Sequence, residues 1–460
     1  MDSSSEPAAS FPAGIVAAAL ALLITVTLCL SAESYAVHQA KGFLQTLSLQ
    51  PQPIKWESLT FQRAAYAAGS WLPTYGSSEL YCCGDPYRGS QLFRTMPTGF
   101  DIFAVGRAGT GDLMFLETFG ALGGELHGKK VIISDSAPWF FGRQGINPQA
   151  YSGNFSPEIA EMFIYDAPLS PSVLEGGARL MAKYPGTLIA RPLLRAGVEN
   201  LAAGTPLHLA AYWVLKPLGQ LDAFIKQMQD VYQSLQFMKA HPALAEDALP
   251  VRRHALNWPA LVRSGTRITQ RESGLTPFGF ATPVVRQLQH NRAYQQALRL
   301  YCEGKTNREG HVYPYPYGWQ NSMEHSAEWT ALSLELQALG ELHAQTLVWS
   351  IPMPGLYDDE TFLSLPAREH YYQKFEQVTA RPHVIALDFR SHDEDRYFLH
   401  DTGAHFTARG WIFADRAADL FWHGASQAAI QAAGRQLEQA APKEGLPPPS
   451  PLYCFALGRR

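Results

Sequence analysis

The hydrophobic pattern divides the chain before any motif is considered. Between Glu6 and Glu33 there is no charged residue, and residues 11–32 read FPAGIVAAALALLITVTLCLSA. A run of that length crosses the ~30 Å hydrocarbon core of a bilayer as a helix. A cleaved signal peptide is the competing reading, but it usually has a basic n-region, and residues 1–10 hold Asp2 and Glu6 with no Lys or Arg. A retained transmembrane anchor over 11–32 is therefore predicted, after an N-terminal stub of residues 1–10. The same lack of basic residues leaves its orientation open, because the positive-inside rule has nothing to act on.

Residues 33–70 read as a mixed polar connector, helical in part, broken at Pro51-Gln52-Pro53. A compact series follows. Ser70-Trp71-Leu72-Pro73 is an apolar lead-in, and Gly99 to Gly106 suits a buried strand ending in a Gly turn. Leu113, Phe115, Leu116, Phe119 and Leu122 recur at helical spacing, and Lys129 to Ser134 is a second short apolar strand. Strand, helix, strand in that order predicts a parallel α/β sheet. From about 156 to 320 the pattern turns helical, with breaks at Pro168, Pro185, Pro192, Pro206 and Pro217. The α/β rhythm then returns: helix over Glu328–Leu342, strand over Thr346–Pro352, helix over His370–Thr379, strand over His383–Asp388 and a closing helix over Thr407–Trp422. Residues 441–460 form a Pro-rich, irregular tail.

Composition narrows the function classes. The chain has 460 residues, 46% hydrophobic, enough for a large core. With 37 Lys+Arg against 41 Asp+Glu there is no basic excess to neutralise nucleic acid. The five cysteines, Cys29, Cys82, Cys83, Cys302 and Cys454, lack metal-ligand spacing. Outside the cytoplasm, one of the adjacent pair Cys82-Cys83 could bridge to Cys302 or Cys454. Asp358-Asp359-Glu360 has no His or further acids at fixed spacing and reads as a solvated loop, so neither a metal nor a cofactor is expected.

The chemistry centres on Tyr75-Gly76-Ser77-Ser78-Glu79-Leu80, at the exit of the first strand. Gly followed by a small hydroxyl residue lets the chain turn sharply and present one Ser side chain. A Ser hydroxyl is a weak nucleophile at neutral pH until a His takes its proton and a carboxylate orients that His. Far downstream, Asp401-Thr402-Gly403-Ala404-His405 supplies both residue types in one loop, with His400 as a rival base. Trp139, Phe140 and Phe141 suit either a substrate groove or core.

Taken together, the anchor, GSSEL, Phe155-Ser156-Pro157, Thr276-Pro277-Phe278-Gly279, Pro352-Met353-Pro354-Gly355 followed by Tyr357-Asp358, and YFLHDTGAH with Gly410-Trp411 resemble the DltD family, in that order. That family comprises D-alanine transfer proteins of teichoic acid D-alanylation and belongs to the SGNH-hydrolase group. The resemblance implies a flavodoxin-like α/β/α sandwich over 71–440, interrupted by the helical insertion, on the outer side of the cytoplasmic membrane, which would make residues 1–10 cytoplasmic. It implies Ser78 as nucleophile, His405 as base and Asp401 as the carboxylate that orients it. It also implies Gly109 beside the oxyanion, and Ser136 to Trp139 at the third block of the site. The family spacing is Asp-x-x-His, whereas Asp401 stands four residues before His405. The implied activity is transfer of D-alanyl groups to an envelope polymer, beside a membrane-bound O-acyltransferase and a D-alanyl carrier protein pathway. An O-acetyl transferase or esterase for an exopolysaccharide, or a non-catalytic scaffold on the same fold, are the alternatives.

Overall fold

The computed structural model describes residues 13–51, 53–246, 254–271, 292, 323–355, 358, 363, 365–395, 397–401 and 404–441. Helix α1 (Ala13–Ala40) carries the apolar run from residue 13 onwards, with most of those side chains exposed, and is long and apolar enough to cross a membrane. Its last turns are fastened to the body: Glu33 pairs with Arg63 at 2.5 Å and accepts a hydrogen bond from Gln227 at 2.6 Å.

Five strands, β1 (Trp71–Gly76), β2 (Asp101–Gly106), β3 (Lys130–Ser136), β4 (Gln345–Ile351) and β5 (Val384–Asp388), form one sheet in the order β2-β1-β3-β4-β5. All neighbouring pairs are parallel. The α/β alternation in the sequence thus becomes a doubly wound parallel sheet. Parallel sheets are buried on both faces, which is why these strands read as near-continuous apolar runs. Side chains alternate between two cores. Tyr75, Val131, Ile133 and Val348 face one cluster, with α2 (Leu59–Ala68), α4 (Asp112–Leu122), α10 (Glu328–Glu341) and α11 (Leu365–Thr379). Leu72, Ile132, Leu347 and Trp349 face the other, with α3 (Gly89–Thr95), α9 (Trp258–Arg271), α12 (Ala408–Trp422) and α13 (Gln427–Ala440).

Residues 59–68 are helical, as expected for part of the connector, but they belong to the core. They form α2, buried on Leu59, Phe61, Ala64 and Ala65, as part of the first helical layer. The first turn of α2 is completed from far away in sequence: its N-cap Ser58 makes no side-chain cap bond, and Asp230 instead accepts from the Thr60 amide at 3.0 Å and hydroxyl at 2.7 Å. A carboxylate at a helix N-terminus satisfies an orphan donor and opposes the dipole, worth about 1 kcal/mol.

The helical stretch contains α5 (Pro157–Tyr165), α6 (Pro171–Met181), α7 (Pro192–Ala203) and α8 (Pro206–Ala240), each starting at a proline suited to the first helical position. Together they build a third core on the back of α4 and α10. α8 passes so near α5 that a Cβ on Gly219 would fall 2.3 Å from the Tyr165 ring, so only Gly fits there. Residues 276–279, Cys302, Cys454 and all but the first residue of the 441–460 tail lie outside the described residues.

Candidate active site

The C-terminal ends of β1, β2 and β3 meet where the strand order reverses, the place where doubly wound sheets open a crevice. Gly76 and Gly106 end their strands in register, and a Cβ on Gly106 would lie 2.0 Å from the Gly76 carbonyl oxygen, so the two ends close only with Gly there. The chain then turns through Ser77 into the 3-10 turn Ser78–Leu80. Ser77 is buried and braces this turn. Its amide donates to Glu79 Oε1 at 2.7 Å, its hydroxyl donates to the Arg107 carbonyl at 3.2 Å, and its Oγ accepts from the Gly109 amide at 3.0 Å. Ser78 is thereby turned outward.

Ser78 Oγ lies 2.8 Å from His405 Nε2, and the Asp401 carboxylate oxygens lie 2.7 and 2.8 Å from His405 Nδ1. The His is placed by a short return of the chain. Leu399 and Phe406 form an antiparallel bridge, and the His400 amide donates to the His405 carbonyl at 2.8 Å. Thr407 then caps α12, accepting from the Gly410 amide at 3.3 Å. The four-residue spacing is absorbed with Ala404 in the left-handed region at φ +66°. Gly403, the residue best suited to a bulge on sequence grounds, lies outside the described residues with Thr402. It is His405, not His400, whose ring reaches Ser78; the His400 ring is turned to Asp85, 3.7 Å away.

Electrostatics at this edge favours a charged imidazole. Burial works against the imidazolium, but hydrogen bonding to Asp401 and the Asp401 and Glu79 charges outweigh it and hold His405 above its usual value. Glu79, 5% exposed, is raised as well, in its case because burial outweighs the Ser77 amide bond.

Gly109, at φ +87°, follows β2 with its amide on Ser77 Oγ. Sequence reading missed Asn154, at the end of the short helix Pro148–Asn154. Its Nδ2 donates to the Ala108 carbonyl at 3.1 Å, and it braces the Gly109 turn. No local signal marks it, because the contact joins residues 46 apart. Ser136 closes β3, with its amide on Asp135 Oδ1 at 2.7 Å, and Trp139 packs half-buried in the following turn. Among the described residues neither is hydrogen-bonded to Ser78 or His405. Asp358 is buried rather than solvated, its amide on the Pro354 carbonyl at 2.9 Å.

Behind the edge lie buried acids that sequence reading did not single out: Asp112, Asp135, Glu328 and Glu335. Glu328 accepts from the Asp112 amide at 3.0 Å and the Ile146 amide at 3.1 Å, tying the start of α4 to α10. Burial, reinforced by their mutual repulsion, pushes Asp112, Asp135 and Glu335 well above the carboxylate range. Cys82 is bonded to Cys83 rather than to a distant cysteine. Its sulfur groups with Asp401 and His405, all ligand atoms within 4.8 Å of one another. The pair therefore faces a disulfide, and no free thiolate is offered there.

The family model described as DltD protein matches residues 48–423. The chain belongs to the DltD family. Among curated members, Protein DltD of Bacillus subtilis (strain 168) is 25% identical over 378 residues, covering 80% of this chain and 87% of that one. Protein DltD of Staphylococcus aureus (strain NCTC 8325 / PS 47) is 20% identical over 368 residues, covering 80% and 84%. The family match takes in Ser78, Gly109, Ser136, Trp139, Asp401 and His405.

Proposed function

We propose that this chain is a membrane-anchored serine acyltransferase of the SGNH type. It passes D-alanyl groups to a hydroxyl-bearing polymer of the cell envelope, as in teichoic acid D-alanylation, from the outer side of the cytoplasmic membrane. The observation that carries the reading is the hydrogen-bonded series Ser78–His405–Asp401, in a chain that belongs to the DltD family.

His405 Nε2 takes the Ser78 proton as Oγ attacks the carbonyl carbon of the D-alanyl donor. The amide of Ser78 takes the developing oxyanion, and that of Gly109 joins it on giving up its bond to Ser77 Oγ. Collapse expels the donor's leaving group, which receives the proton from His405 and leaves an ester on Ser78. The polymer hydroxyl then gives its proton to His405 and attacks that ester, forming the new D-alanyl ester and restoring Ser78. Asp401 keeps the Nδ1 proton on the imidazole and supports its positive charge. Ser136 and Trp139 flank the acyl group. The partners are a membrane-bound O-acyltransferase and the D-alanyl carrier protein pathway that supply the acyl group.

The test is the envelope D-alanyl ester content of cells that depend on this chain. Ser78→Ala should lower it to the level of cells lacking the protein, while the variant stays at wild-type abundance. Full content with Ser78→Ala would refute the enzymatic reading, and loss of an envelope acetyl ester instead would reassign the acyl group.

A further inference from the structure

α8 presents a face that the proposed acyl transfer does not use. Tyr212, Gly219, Ala223 and Asp230 point into the body. On the opposite side Leu207, Val214, Leu218, Leu221 and Ile225 follow helical spacing in one stripe past Pro217, exposed to between 47% and 78%. The charged residues of this stretch lie off the stripe, and Lys226 is paired with Glu161 and Asp222 at 2.6 Å each. A stripe this long and free of charge is not an ordinary solvated surface.

The geometry of α1 says which side of the protein this face is on. Glu33, the first charge after the apolar run, meets Gln227 of α8 at 2.6 Å. Further along both segments, the Gly42 carbonyl accepts from the Glu246 amide at 2.8 Å. The two helices therefore run in the same sense away from that first charge. The part of α8 before Gln227 leads back to the side of the body from which the apolar run of α1 extends. Exposed Trp213 flanks the stripe, with Lys216 Nζ 4.9 Å from its ring centroid. An amphipathic ring beside a long cationic side chain is what a headgroup region accommodates.

We infer that the N-terminal half of α8 lies in the headgroup region of the bilayer that α1 crosses, with Leu207 to Ile225 turned to the acyl chains and Trp213 and Lys216 among the headgroups. This rests on the reading of α1 as a membrane anchor. Two contacts with the membrane instead of one fix the tilt of the domain, and with it the height of the Ser78 edge above the lipid.

The experiment uses the full chain in cell membranes, with a photoreactive benzoylphenylalanine in place of Val214, Leu218 or Gln233, one at a time. After irradiation, mass spectrometry of the purified protein should find phospholipid adducts at Val214 and Leu218 and none at Gln233, which sits exposed further along the helix, past Gln227. Adducts only to another protein, or no adduct at the stripe, would overturn the inference. Carbonate extraction of the same membranes reports on α1 alone. Retention without lipid adducts rejects the role of α8, whereas release rejects the anchor on which it rests.

Discussion

Two groups of acids, one at the C-terminal edge of the sheet and one behind it, are treated in opposite ways by the fold. At the edge, Asp401 sits on His405 and raises it, so negative charge is kept where a proton must be held. Behind it, Asp112, Asp135 and Glu335 are buried, paired with no cation among the described residues, and driven towards the neutral form. Carboxyl groups of the same kind thus act as an electrostatic partner in one place and are packed away, driven towards the uncharged form, in the other. The lesson is that an acid's role here is set by whether an imidazole stands against it, not by its nearness to Ser78.

The comparison breaks most sharply under substitution at the edge. Ser78→Ala should reduce turnover on the order of 10⁶-fold with the melting temperature unchanged, and His405→Ala by a similar factor, since the two act as a unit. Asp401→Asn should cost on the order of 10⁴-fold, because the imidazole loses the partner that fixes its tautomer. Asp135→Asn is the counterpart. Its Oδ1 can still accept from the Ser136 amide, and the native group is already driven to the neutral form, so activity and stability should stay near wild type at neutral pH. A loss as large as that of Asp401→Asn would erase the distinction.

pH sharpens the same contrast in smaller steps. Turnover needs neutral His405, so it should climb as pH rises through a midpoint above 6.5, and Asp401→Asn should move that midpoint down. Stability runs the other way for the interior acids. Glu117, bonded to the Tyr151 hydroxyl at 2.5 Å, is pushed by burial from 4.5 up to about 8. A raised acid contributes fully below its unfolded value and loses that contribution as pH rises through the folded one, by about 1.4 kcal/mol per pH unit. Urea midpoints should therefore fall between pH 4.5 and about 8, and Glu117→Gln should flatten that decline without touching activity. The smallest effect expected is Thr407→Ala, which removes the cap next to His405 at a cost of about 1 kcal/mol in unfolding free energy.

Much of the frame could be read from sequence because its signals are local. The strands over 101–106 and 130–136 stand out as apolar runs ending in Gly or Ser, and the first helix by a run without charge. Ser78, Asp401 and His405 were singled out as residue types suited to one chemistry, and the structure brings the three together. What escaped reading depends on contacts between distant segments. α2 looks polar along Thr60, Gln62 and Arg63, yet each of these side chains shares a hydrogen bond with another element, at Asp230, Tyr75 and Glu33 respectively. Asn154 and the acids around Glu328 are unremarkable until the folded chain sets them against Ala108 and Asp112. The Cys82–Cys83 bond replaces the expected bridge to Cys302 or Cys454, because the turn at Cys83 sets the two neighbouring sulfurs against each other.

The most direct test of the central claim is intact-protein mass spectrometry of the full chain after rapid mixing with a D-alanyl ester and acid quenching. The account predicts a burst of one D-alanyl adduct per molecule, mapped by peptide fragmentation to Ser78, absent from Ser78→Ala and slow to form in His405→Ala. Turnover of the ester with no adduct, or an adduct on another residue that persists in Ser78→Ala, would contradict it.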